Sequence, residues 1–407
     1  MAGVSISDFG ASFIDYLPDV TETLNNVVTM RKYARNDYKW EGANIQFYVH
    51  TARNFALGNI EDGGAFPVAN KQDYVAATAF RRFNVGSVQI SDGALANAAT
   101  SKRAAIDVVT SELRGMTEGM AKYDEYMSMR DGTGVVGRVG TNVAATWGIT
   151  DARLIWDKQS YEIRSNAAIA TLRGTTTVNS VARALDANGN FAVTSSAALP
   201  AGSTATDFVV WPNAVNRCVT GLQSLVDDTA GTFQGVNTTT YPRYTSPVLD
   251  NSGTLRPLSP TLFRRMLAMI KQESGGTEAV NGLTVITNNW QGIEAEELYE
   301  PELRITPDTK TVGLNLPEFQ SAFGRIKIVT SHDCPFNTMF FIDFNEIYRA
   351  VQKELDWRRD KAGGIFQRSD SSAVWRATAL EIHEYFIKQR NRCGRIDDLA
   401  ETAATAY

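Results

Sequence analysis

From Ser91 to Asp131 the chain runs without a proline, and this stretch limits the possible folds more than any other. Within it Ile106, Val109, Leu113, Met116, Met120, Tyr123 and Met127 recur at alternating steps of three and four residues. That spacing places them on one stripe of an α-helix. A helix over 94–130, capped by Ser91 or Asp92, is predicted to span about 55 Å at 1.5 Å per residue. DGTGVVG ends it with turn chemistry. Gly115 and Gly119 lie four apart beside the stripe, each costing up to about 1 kcal/mol of helix stability, and leave room for a close neighbouring backbone. The repeat would suit a coiled coil, but it covers one helix only and includes three methionines and a tyrosine. A spine lying on a sheet is the better reading, with Ile106, Val109, Leu113, Met116, Met120 and Tyr123 as its packing face.

Ahead of the helix, residues 40–54 (KWEGANIQFYVHTAR) and 75–91 (VAATAFRRFNVGSVQIS) alternate as strands do, around a glycine-rich link. Ile45, Phe47 and Val49 share one face, Gln46, Tyr48 and His50 the other. The expectation is one long two-stranded arm over 40–91. Isolated hairpins are marginal in water and open strand edges invite other chains, and nothing nearby in the sequence offers the arm a core. Residues 1–39 contain broken helical patterns, with Phe13 and Tyr16 among few apolar positions, and read as a second arm.

The 407 residues call for two or three lobes. A net charge of −5 argues against a surface built to grip nucleic acid, though not against enclosing it. No apolar run approaches the ~20 residues of a membrane span, and MAGVSISDFGAS lacks the marks of a signal peptide. Three scattered cysteines read as free thiols of a reducing compartment. Residues 158–212, rich in Ala, Thr, Ser and Val with an Asn188-Gly189 turn, read as a small β insertion. From 213 a mixed α/β segment follows. It holds a Ser259-capped helix, strands at 283–287, 325–331 and 338–344, and a long closing strand over 372–391.

The search for chemistry returns little. His332-Asp333-Cys334 point to alternating sides and lack ligand spacing, so a turn role is favoured over metal. His383 has no G-x-S-x-G partner for a triad. GTGVVG follows a helix rather than a strand and lacks a P-loop lysine. Glu294, Glu297 and Glu300 read as a solvated face. No catalytic residue, cofactor or metal is assigned.

Order and motifs are more informative. The passage VTGLQSLVDDTAGTFQGVNTTTYPRYTSPVLD (219–250) and the run from GRIKIVTSHDCPFNTMFFIDFNEIYRAV to the RNRCGRIDDL ending resemble the major capsid proteins of tailed phages, which have the Hong Kong 97 fold. The resemblance covers nearly the whole chain. It implies an α+β fold with an N-arm (1–39), an E-loop (40–91), a P-domain including the spine helix (92–157 and 331–407), the β insertion (158–212) and an A-domain (213–330). It also implies pentamers and hexamers, packaged double-stranded DNA, and scaffold, portal and decoration proteins as partners, with no membrane partner and a virion location after synthesis in host cytoplasm. Phe47, Phe66, Pro67, Lys71, Tyr74, Arg81, Arg82, Phe13 and Tyr16 become candidate contacts between subunits. Lys71 is also the one loop lysine placed for a covalent cross-link. An encapsulin-like shell is the alternative, and a soluble hydrolase a remote one.

Overall fold

The computed structural model describes residues 29–91, 102–143, 145–185, 190–275, 282–299, 318–321, 324–359, 364–368 and 374–401. Phe13, Tyr16 and the side chains of Ile106 and Val109 lie outside the described residues.

The chain enters through a short helix α1 (Thr29–Tyr33) and strand β1 (Arg35–Lys39), then forms β2 (Asn44–Ala52), β3 (Asp73–Phe80), β4 (Arg82–Ser91) and the long helix α2 (Lys102–Ser128). The arm expected over 40–91 is divided differently. β2 pairs with β3 from Asn44↔Phe80 to Ala52↔Asp73, but β4 leaves the hairpin at Arg81. It runs antiparallel along a distant C-terminal strand, from Arg82↔His383 to Ser91↔Val374. Local alternation marks β4 as a strand, but its partner lies about 280 residues away.

Next comes a closed barrel of six strands: β5 (Val135–Val143), β6 (Thr146–Ile149), β7 (Ser160–Arg164), β8 (Leu172–Leu185), β9 (Phe191–Ser195) and β10 (Phe208–Val210). Trp147, Ile149, Ile163, Val178, Val193 and Val209 are buried with it. The β unit expected over 158–212 therefore begins earlier, because β5 and β6 close its wall. Arg153, beside the barrel, pairs with Asp151 and donates through Nη1 to the backbone oxygens of His332 and Cys334. This gives the Asp-Cys-Pro turn a structural role.

Beyond the barrel a tight hairpin, β11 (Thr232–Phe233) and β12 (Val236–Asn237), precedes β13 (Val248–Leu249), helix α3 (Pro260–Glu273), β14 (Thr284–Thr287) and helix α4 (Asn289–Tyr299). The strands β15 (Glu318–Ser321), β16 (Gly324–Thr330), β17 (Met339–Ile342), β18 (Ile347–Trp357), β19 (Phe366–Arg368), β20 (Val374–Ile387) and β21 (Gly394–Ile396) complete the order. Ser259 caps α3, its hydroxyl accepting from the Leu262 amide at 3.3 Å. Pro260 stands in the first turn, where its missing N–H costs nothing.

Two sheets organise these elements. One has the order β13-β21-β17-β14-β16-β15, and Phe263, Met266 and Ile270 of α3 pack on it against Val285, Ile328 and Phe341. It draws strands from both sides of the boundary expected at 330. The other has the order β1-β18-β20-β19, with β4 also on β20. Helix α2 crosses this second sheet, and Leu113 packs among Val88, Trp357, Ala377 and Ala379. Met116 and Met120 fill the space above Gly86, where a Cβ would overlap their sulfurs. Among the described helices none is long and apolar enough to cross a membrane.

Candidate functional site

The hairpin β2–β3 offers two unlike surfaces. At its base the alternation of β2 turns Ile45, Phe47 and Val49 inward, where they join Ala77, Ala79, Tyr348, Ala350 and Phe386 in one buried cluster. The rings of Phe47 and Phe386 are 4.9 Å apart. Phe47, expected to meet another subunit, is thus 8% exposed and covered by this chain's own sheet. The core that no neighbouring sequence supplied comes from residues about 300 positions away. A strap holds the hairpin from the other side. The Thr78 amide donates to the Gln234 carbonyl at 2.6 Å, and Gln234 Nε2 donates to the Tyr385 carbonyl at 3.1 Å.

The tip is the reverse. Residues 53–72 carry Phe55, Leu57, Phe66 (85% exposed) and Val68 (89% exposed). Pro67 and Lys71 are exposed beside them, and Tyr74 half-covers His50 at 5.0 Å between rings. A hydrogen bond from Asn54 Nδ2 to the Asn70 carbonyl, 2.7 Å, closes the neck. A contiguous apolar group standing in water marks an interaction surface, and burying one such side chain gains about 1.5–3 kcal/mol. Of the paired arginines, Arg81 is exposed over the Phe83 ring at 5.2 Å. Arg82 is committed within the chain: its Nε lies 3.1 Å from Glu384, and Nη1 donates to the Asn216 carbonyl at 2.7 Å. These bonds tie the base of the arm to its own chain while leaving the Arg82 side chain partly exposed.

The third feature is one that sequence reasoning did not assemble. Asp124 of α2 and Glu381 and His383 of β20 bring potential ligand atoms within 4.8 Å of one another, all buried. Two guanidiniums already occupy this space. Arg31 of α1 contacts Asp124 through Nε at 3.1 Å and also pairs with Glu381, while Arg349 of β18 holds Glu381 at 2.6 Å. Asn84 donates to Asp124 at 2.8 Å, and His383 Nε2 lies 3.1 Å from the same carboxylate. Two carboxylates thus face two guanidiniums. A divalent cation here would sit beside two fixed positive charges, so the cluster is an ion-pair lock rather than a metal centre. Burial alone would raise the Asp124 pKa, but His383 and Arg31 hold it far below the usual carboxylate range. Among the described residues the neighbouring Glu125 has no cationic partner. Burial pushes its pKa up to about 8, despite the hydrogen bond it accepts from the Met30 amide at 3.3 Å.

The lock joins the entering helix, the spine and the central sheet through Arg31, Asp124 and Glu381. A sequence signal existed. Glu381 and His383 are two apart on a strand, hence on one face, and Asp124-Glu125 interrupt an apolar stretch of helix.

Comparison with known proteins gives a consistent result. The sequence profile of the SU10 major capsid protein family matches residues 158–363. Among solved structures, the cyanophage A-1(L) capsid chain superposes with a TM-score of 0.55 at 11% identity, over 92% of this chain and 93% of that one. That likeness shows the fold. A chain from the capsid of an empty GTA particle (TM-score 0.49, 10% identity, 92% of this chain and 97% of that chain) is more distant. So is one of Mycobacterium phage Ogopogo (TM-score 0.42, 9% identity, 92% and 91%). No curated protein sequence matches the chain.

Proposed function

The chain belongs to the SU10 major capsid protein family, and from that premise we propose that its copies assemble into the icosahedral shell enclosing the double-stranded DNA of a tailed phage. The match over residues 158–363, which runs from the barrel into both sheets, is the observation that carries this reading. The Hong Kong 97-type architecture agrees with it. The encapsulin-like and hydrolase alternatives gain no support from the family match.

In this reading the hairpin is the E-loop, α2 with the β18–β20 sheet is the P-domain, and the sheet bearing α3 is the A-domain. The tip residues Phe66, Pro67, Lys71 and Tyr74, with Arg81 at the turn into β4, are the contacts offered to a neighbouring copy. Phe47 and Arg82 set the angle at which the arm leaves its own subunit. Each contact is small, and the shell is stable because many close together. DNA meets the inner wall weakly, since a net charge of −5 gives no general attraction. Scaffold and portal proteins are its partners in assembly, synthesis is in the host cytoplasm, and the role is structural rather than catalytic.

The test is sedimentation of the purified chain followed by negative-stain microscopy of the fast fraction. Closed polyhedral particles or capsomer rings are expected. Deleting residues 55–72 is expected to leave a folded subunit that forms no stable shell. A strictly monomeric wild-type chain under all assembly conditions, or unchanged particles from the deletion, overturns the assignment.

A further inference from the structure

The β2–β3 hairpin belongs to neither large sheet. Among the described residues a single hydrogen bond ties residues 44–80 to the rest of the chain, the one from the Thr78 amide to the Gln234 carbonyl. What else holds the hairpin's base is apolar: Ile45, Phe47 and Val49 against Tyr348, Ala350 and Phe386, with Val236 alongside. Apolar contact is non-directional. It decides which face is covered and leaves the hairpin free to swivel on the sheet. The hydrogen bond to Gln234 is the directional element.

The acceptor stands in a turn of unusual composition. β11 and β12 pair Thr232↔Asn237 and Phe233↔Val236, which leaves Gln234 and Gly235 as the two central residues. Their φ angles are 47° and 83°. A two-residue hairpin turn with both angles positive ordinarily has asparagine, aspartate or glycine first. Glutamine there is strained, and its Oε1 is buried with no donor among the described residues. The bridge made by the same side chain explains its presence: Nε2 donates to the Tyr385 carbonyl of β20, while the backbone carbonyl receives the hairpin. The turn is firmly backed. The Arg390 guanidinium carbon lies 4.1 Å from the centre of the Phe233 ring, and its nitrogens hold the carbonyls of Ser224, Leu225 and Asp227. Gly235 brings the turn's backbone against β3, so that a Cβ there would stand 3.6 Å from the Thr78 nitrogen.

We propose that the Gln234–Gly235 turn is a stop that fixes the direction of the hairpin, with Gln234 as its positioning residue. Its side chain registers the turn on β20, and its carbonyl passes that register to β3. The use of a fixed direction, to present the tip to a neighbouring copy, rests on the shell reading. The stop itself does not, and it is tested on unassembled subunits.

Spin labels are placed at Tyr48→Cys on the hairpin and Arg264→Cys on α3, both exposed, the native cysteines being buried. Double electron–electron resonance then reads the spread of hairpin directions. Gln234→Gly relieves the positive φ and removes the bridge; Gln234→Leu keeps the bulk and removes the donor. Both are expected to widen the distance distribution at least about twofold, with the urea midpoint of Gln234→Gly equal to or above that of the wild type. A merely structural glutamine would not separate these two readouts. Distributions as narrow as the wild type's in both variants overturn the proposal. So does widening accompanied by faster hydrogen exchange throughout β18 and β20, since Gln234 would then act on the sheet as a whole. Sedimentation of the wild-type chain tests the shell separately, and a monomeric chain with a narrow distribution would remove the shell and leave the stop.

Discussion

Replacing Phe47 by alanine separates the two ways in which the hairpin's apolar face can be covered. In the structure the ring packs on Phe386 at 4.9 Å and shares a cluster with Tyr348, Ala350, Ala77 and Ala79. A buried Phe→Ala change costs about 3–5 kcal/mol. With its edge in contact with water, Phe47 belongs at the lower end, about 3 kcal/mol. The loss falls on docking of the hairpin rather than on the whole chain, because β2 pairs only with β3. Local opening should then become roughly 100-fold more frequent, at tenfold per 1.4 kcal/mol. Hydrogen exchange of the Ile45–Val49 amides in unassembled subunits reads this directly. They should exchange roughly 100-fold faster, with the β18–β20 amides unchanged. Unaltered exchange would mean that the face is not held by its own sheet, and the argument for an internally anchored arm would fail.

Removing one partner of the buried lock by Arg31→Met strands Asp124 and Glu381 with reduced compensation. A loss of about 3–5 kcal/mol in urea unfolding is expected, whereas Arg114→Ala, at an exposed pair, should stay within about 0.5 kcal/mol. Glu125 predicts a pH effect. Its folded pKa of about 8 exceeds the ordinary 4.5, so the folded state binds the extra proton and its contribution to stability falls as pH rises through that interval. Glu125→Gln should flatten the slope of melting temperature between those pH values and stabilise the chain at pH 7. Gly221→Ala places a Cβ 2.6 Å from the carbonyl oxygens of Met127 and Ser128 at the end of α2. Backbone atoms there cannot swing aside as a side chain would, so a loss of about 3 kcal/mol or more is expected, read as lower soluble yield and a lower urea midpoint.

What the sequence disclosed followed the range of each signal. The spine was legible because a helix repeats its burial within one turn, and Leu113 and Met127 are buried where the stripe placed them. The strand character of β4 was legible in the same way. Its partner was not, since alternation records which side is buried and nothing about which strand lies alongside. Phe47 illustrates the same limit: an inward-facing ring was evident, while Phe386 as its neighbour was not. The barrel's first strand was hidden by the glycine-rich DGTGVVG stretch, which read as a turn, although Gly137 lets the wall pack closely; a Cβ there would meet Ile149 at 2.9 Å. The lock of Arg31, Asp124 and Glu381 was missed because its charges come from distant segments and compensate only in space. The exposed tip showed itself in composition as glycine beside aromatic residues, although only the fold showed that no described residue covers Phe66.

The position of β20 has a bearing on how the subunit is made. This strand lies at the centre of its sheet, with β4 and β18 on either side, yet it is the last long strand to leave the ribosome. β4 emerges about 280 residues earlier, a wait of roughly 15–60 s at 5–20 residues per second. Throughout that interval Val88, Ile90 and the apolar side of the first hairpin have no sheet to join. A product truncated before β20 therefore lacks both the partner of β4 and the Phe386 ring on which the first hairpin rests.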